Sequence, residues 1–177
     1  MNKDVVISGL WGVLFLASFP LFAELIHFEL DHDAVQIQTG NTNWEIASQR
    51  NDGAKGVTEY VFDGESIQGW TERVTINYFK GLQGAEVIAR LLDFTKKGLE
   101  SQCAEVTWET ISKTEYSALY QWTAKACVGV PDQSEIARAI LGKNALYILH
   151  YANKKVPMPV DQFQAWMKNL EEAVIRE

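Results

Sequence analysis

CAEVTWETISKTEYSALYQWTAKAC, residues Cys103–Cys127, is the stretch whose reading decides the fold. Val106, Trp108 and Thr110 alternate with Thr107, Glu109 and Ile111, and then Tyr116, Ala118, Tyr120, Trp122, Ala124 and Ala126 all share one side. Strict alternation of this kind is the pattern of half-buried strands. A hairpin turning near Glu115 sets residues whose numbers total about 230 opposite each other, and Cys103 and Cys127 meet that total. Cross-strand neighbours have Cβ atoms roughly 4.5–5.5 Å apart, close to disulfide reach. The expected bridge closes the open end of the hairpin, and in the loop-entropy picture contributes roughly 3 kcal/mol. The separation of the two cysteines excludes a CxxC redox pair, and two Cys with scattered His make too poor a set for zinc. In a reducing compartment the same pair would be two buried free thiols.

Upstream, Thr71 to Tyr78 alternates, with Val74, Ile76 and Tyr78 on one side and Arg73, Thr75 and Asn77 on the other. After Gly81 and Gly84 the period changes: Ile88, Leu91, Leu92, Thr95 and Leu99 form one helical face that ends near Cys103. Downstream, Glu135–Leu141, the turn Gly142-Lys143-Asn144 and Ala145–Tyr151 read as a second hairpin. Its last strand is apolar on both faces and therefore central. Phe163, Trp166, Met167, Leu170 and Val174 form the stripe of a final helix that begins near Val160-Asp161. Strand-like runs at 44–50 and 57–62 flank the turn-rich 51–56, and residues 24–43 read as an irregular or edge lead-in. The expected fold is α+β: an antiparallel sheet of about six strands with an internal helix and a C-terminal amphipathic helix packed on it. The domain division is 1–23, 24–43 and 44–177.

The chain has 177 residues, 47% of them apolar, and a net charge of −7. That suits one domain with a real core and argues against nucleic acid, which needs a clustered basic surface. After Lys3-Asp4 the run Val5–Ala23 is apolar, with Pro20 shortly before the small Ala23. It reads as a cleaved signal peptide. The alternative is an uncleaved anchor helix, since spanning needs roughly 20 apolar residues. The expected location is periplasmic or secreted, or inner-membrane anchored facing the periplasm if residues 5–23 are kept.

Two segments carry a resemblance. Phe62-Asp63-Gly64-Glu65 through Trp70-Thr71-Glu72-Arg73-Val74-Thr75-Ile76 resembles an xPxGxxxxxWTExVTV signature, and Leu141–Ala152 (LGKNALYILHYA) resembles QGNDALYVVQYA. With Cys103 and Cys127 between them, these look like a family of small exported proteobacterial proteins of uncharacterised function, over about residues 57–170. Asp63 stands where that pattern has Pro, which touches only the turn. The element order is similar to Mog1/PsbP-like α+β domains, a likeness of fold alone. The resemblance implies export and no recognised catalytic chemistry.

Trp70, Glu72, Arg73 and His150 are the candidate ligand-groove residues, weighed against plain packing. Glu72 shares the inward parity of Val74, so it needs a charged partner or hydrogen bonds. His27 and His32, among Glu29, Asp31 and Asp33, are weak metal candidates because their spacing matches no zinc signature and a solvated edge explains them. There is no GxSxG elbow and no glycine-rich phosphate loop, so no catalytic residues, cofactor or metal are assigned. The reading is a non-enzymatic exported domain of the bacterial envelope that binds a protein or small ligand. The alternatives are a subunit of a membrane-anchored envelope or secretion assembly, and a hydrolase or metal-dependent enzyme built on Glu72, His150 or the His27–Asp33 cluster.

Overall fold

The computed structural model describes residues 24–30, 33–40 and 43–176. Within these residues ten strands and two helices follow in the order β1 (Glu24–Leu30), β2 (Asp33–Gly40), β3 (Trp44–Asn51), β4 (Lys55–Phe62), β5 (Glu72–Lys80), α1 (Val87–Gln102), β6 (Cys103–Lys113), β7 (Ser117–Cys127), β8 (Gln133–Leu141), β9 (Ala145–Asn153), α2 (Val160–Glu171) and β10 (Val174–Arg176). Seven strands make one antiparallel sheet in the order β3-β4-β5-β9-β8-β7-β6, and β1, β2 and β10 make a three-stranded one.

β9 is the middle strand of the seven and is buried on both faces apart from His150, as its run of Leu, Ile, Tyr and Ala requires. β5 pairs with it through nine consecutive residues, from Glu72↔Asn153 to Lys80↔Ala145. Alternation then sends Val74, Ile76, Tyr78, Tyr147, Leu149 and Tyr151 to one face, where Trp166 and Leu170 of α2 cover them together with Ile26, Val35 and Ile37 of the small sheet. Leu146, Ile148, Ala137, Ala139, Ala118 and Tyr120 go to the other face, under Ile88 and Leu92 of α1. The alanines on that side let the helix lie close to the sheet.

Cys103 and Cys127 are directly opposite and form the disulfide, with Cα atoms 3.9 Å apart. The Val128 N–H donates to Gln102 C=O at 3.0 Å, which makes 103/127 a non-hydrogen-bonded pair, the type whose side chains come closest. The turn falls at Thr114–Ser117, where the Thr114 hydroxyl accepts from the N–H groups of Tyr116 and Ser117. A one-residue bulge lies between Thr110 and Ser112.

Four details differ from the sequence reading. The one-sided run expected from Tyr116 to Ala126 is kept only from Ala118 to Ala124, because Tyr116 belongs to the exposed turn and Ala126 is exposed with φ 52°. The main sheet has seven strands rather than about six. Residues 24–40, read as irregular or edge lead-in, form the β1–β2 hairpin, whose Val35-Gln36-Ile37-Gln38 alternation delivers Val35 and Ile37 to the core. Val174 leaves the helical stripe: α2 stops at Glu171, and Val174 pairs with Gln36 in β10. The cause is Arg138 on β8, whose Nη1 donates to the carbonyls of Leu170, Glu171 and Ala173 at 2.7–2.8 Å and so caps the helix end. Burial lowers the pKa of this guanidinium, and the Glu171 carboxylate opposes that. The expected signal or anchor helix at 1–23 lies outside the described residues.

Candidate functional site

The four groove residues do not converge, because one residue of register separates two faces of a sheet. Arg73 and His150 point to the α1 face; Glu72, one position before Arg73, points to the α2 face. Trp70 lies on the α1 side but is an anchor, 4% exposed and packed on Val61 and Ala152, with the Arg73 guanidinium and Lys154 ammonium each 4.7 Å from its ring centroid.

Glu72 satisfies the requirement set by its parity with hydrogen bonds rather than an ion pair. It accepts from the Tyr151 hydroxyl and, at 2.7 Å, from Gln162 Nε2 on the first turn of α2. Asn153 Nδ2 donates to Gln162 Oε1 at 2.8 Å, and the Tyr151 ring stacks on Trp166 with centroids 4.2 Å apart. Burial, and next the hydrogen bond to Glu72, push the Tyr151 phenol well above its ordinary range. This network docks α2 on the sheet.

The α1 face carries a second polar constellation, absent from the sequence reading except for Arg73 and His150. Glu135 Oε1 lies 2.8 Å from His150 Nδ1 and accepts from Trp122 Nε1 at 3.1 Å. A carboxylate accepts, so Nδ1 is the nitrogen that donates in this contact. His150 Nε2, the Tyr120 hydroxyl and Arg73 Nε are buried and have no hydrogen-bond partner among the described residues. Beside them Glu59 bridges two strands, 3.2 Å from Arg73 Nη1 and 3.8 Å from Arg50 Nη2. The alternation of β8, with Glu135 two positions before Ala137, was the sequence signal for this cluster.

α1 lies over β6, β7 and β8, so no helix among the described residues covers the β3–β4–β5 part of the same face. There an open cleft of about 330 Å³ is lined by Arg50, Asp52, Lys55, Val57, Asn77 and Phe79, with Asn51 and Gly56 completing it. Its end wall is a fixed turn. Asn51 Oδ1 accepts from the Gly53 N–H and the Tyr78 hydroxyl, and Asp52 Oδ1 accepts from the N–H groups of Ala54 and Lys55 at 3.0 and 2.9 Å. Those two backbone bonds hold the Asp52 carboxyl below its usual range. Gly56 is required by packing, since a Cβ there would sit 2.4 Å from the Tyr78 ring.

Among the described residues no three His, Cys, Asp or Glu side chains group as metal ligands. His27 lies in β1 opposite Gln36, and His32 lies outside the described residues. No helix among the described residues is long and apolar enough to cross a membrane, and the apolar run 5–23 also lies outside them. No protein-family model matches the chain, nor does any curated protein sequence.

Proposed function

We propose that this chain is an exported domain of the bacterial envelope that works by binding, not catalysis, and that its binding surface is the half of the α1 face left open over β3, β4 and β5. The observation that carries this reading is the cleft at Arg50, Val57, Asn77 and Phe79, a concave site with mixed apolar and polar lining on a rigid sheet. Glu59, Arg73 and His150 lie on the same face by register. The Cys103–Cys127 disulfide is compatible with an oxidising compartment.

Two measurements test the reading. Mass analysis of the protein from its own compartment is expected to show a chain starting at Glu24 with the disulfide formed. A chain that keeps residues 5–23 would instead make it an anchored accessory subunit. A hydrolase substrate screen is expected to find no turnover. Turnover that disappears in His150→Ala or Glu135→Gln would replace the binding reading with an enzymatic one, because a carboxylate-held imidazole with a free Nε2 is the base such chemistry uses.

A further inference from the structure

The shape of the open cleft is matched by its charge. Arg50 and Lys55 stand at its sides, both exposed, while Val57 and Phe79 supply an apolar surface and Asn77 an amide. These side chains share the α1 face by register: Arg50 opposite Val57, Val57 opposite Asn77, and Lys55 opposite Phe79. Among the described residues Arg50 has a carboxylate at 3.8 Å, from Glu59, and its side chain is 76% exposed, so its guanidinium is open to a further acceptor.

We propose that this cleft takes a small monocarboxylate carried on an aromatic ring or short aliphatic chain, the body lying on Val57 and Phe79 and the carboxylate between Arg50 and Lys55. The inference deepens the binding reading above and rests on it. Three features select this class. A cationic ligand would face two cations. A phosphate dianion would look for clustered backbone N–H donors, the nest that turns commonly offer. Here the turn N–H groups of Gly53, Ala54 and Lys55 are already taken by Asn51 and Asp52. The Asp52 carboxyl, held ionised by those bonds, sets the cleft against a second negative charge on the ligand. A neutral apolar body would gain from the floor but draw nothing from the two cations. The backbone of the cleft is fixed by the turn and by the Lys80 N–H bond to Ala54 C=O at 2.7 Å, so the ordering left for the ligand to impose is that of the Arg50 and Lys55 side chains.

The test uses the full chain with its disulfide intact and three probes of one shape: phenylbutyrate, phenylbutanol and phenylbutylamine. Calorimetry gives affinities and amide chemical shifts locate them. Phenylbutyrate is expected to bind with shifts at Val57, Asn77 and Phe79, the alcohol about 10-fold or more weakly, and the amine not at all. Arg50→Gln and Lys55→Gln are each expected to weaken the acid about 5-fold and leave the alcohol unchanged, with an unaltered urea midpoint. Equal binding of acid and alcohol at these residues would overturn the anion assignment and leave the binding face standing. If none of the three probes shifts Val57, Asn77 or Phe79, the inference fails, and the assignment of this face falls with it.

Discussion

Glu135 on β8 and His150 on β9 meet through one carboxylate oxygen at 2.8 Å although neither is the other's register partner. Glu135 sits opposite Ala152, and His150 opposite Ala137. The contact runs along the diagonal of the ladder, where Cα atoms are about 7–8 Å apart and only long side chains reach. Two alanines as the direct partners leave the room. The neighbouring diagonal repeats the device, with Glu59 opposite Thr75 and Arg73 opposite Val61 while Glu59 and Arg73 pair at 3.2 Å.

Glu135→Ala therefore removes the acceptor of both Trp122 Nε1 and His150 Nδ1 in a buried place. A cost of about 2–4 kcal/mol is expected in urea unfolding. Glu135→Gln keeps one acceptor oxygen and should lose about half as much. A loss under about 0.5 kcal/mol for the alanine variant, the usual surface value, would mean that the carboxylate does not hold the three strands.

Removal of the disulfide, as Cys103→Ala with Cys127→Ala, frees a loop closed over a sequence separation of 24 residues. Stability is expected to fall by about 3 kcal/mol. Because the bridge ties the first residue after α1 to the last of β7, hydrogen exchange should rise first at the C-terminal turn of α1 and the open end of the β6–β7 ribbon. Exchange that rises instead across β5 and β9 would show that the bridge supports the centre of the sheet.

Glu72 and Arg73 are expected to separate in their effects despite being neighbours. Glu72→Ala strips the acceptor from the Tyr151 hydroxyl and Gln162 Nε2, which undocks the first turn of α2, at a cost of about 2–3 kcal/mol. The near-ultraviolet circular dichroism should change too, since Tyr151 stacks on Trp166. Arg73→Ala loses a part-exposed ion pair and its contact with Trp70, about 1 kcal/mol, with no change in the Tyr151–Trp166 signal. Matching spectra for the two variants would contradict the assignment of Glu72 to the α2 face.

What the sequence made legible is what period alone decides. Ala118 to Ala124 and Val74 to Tyr78 announce their faces, though the same run misplaced Tyr116 and Ala126 at its ends; the two-sided run of β9 announces its central place, and the cysteines report the register of β6 on β7. The β1–β2 hairpin escaped because the charges and histidines around Asp31 mask a short Val35–Ile37 alternation. Val174 continued a helical stripe by spacing, and only Arg138, distant in sequence, shows why the helix stops before it. The Glu135–His150 pair was within reach, since extending the register outward from the Gly142–Asn144 turn puts both on one face. The cleft was not, because it exists only where α1 stops covering the sheet, a fact of packing between distant segments.

Three tyrosines make the fold sensitive to base. Tyr60, Tyr120 and Tyr151 are at most 7% exposed, and burial is the first cause raising each phenol above its ordinary value. The Glu135 carboxylate adds to the rise at Tyr120, and the hydrogen bond to Glu72 adds at Tyr151. The folded chain thus keeps these protons at pH values where the unfolded chain releases them. Stability from this source is complete below about pH 10, the phenol value in the unfolded chain, and falls as pH rises above it. Each phenol still protonated in the folded state takes away about 1.4 kcal/mol per pH unit there. The urea midpoint is expected to decline steeply above about pH 10, and Tyr120→Phe should make the decline shallower by one proton's worth. Tyrosinate absorbance should appear together with unfolding rather than before it at these three positions. A midpoint unchanged through that range would mean that the phenols ionise as easily in the folded sheet as in water.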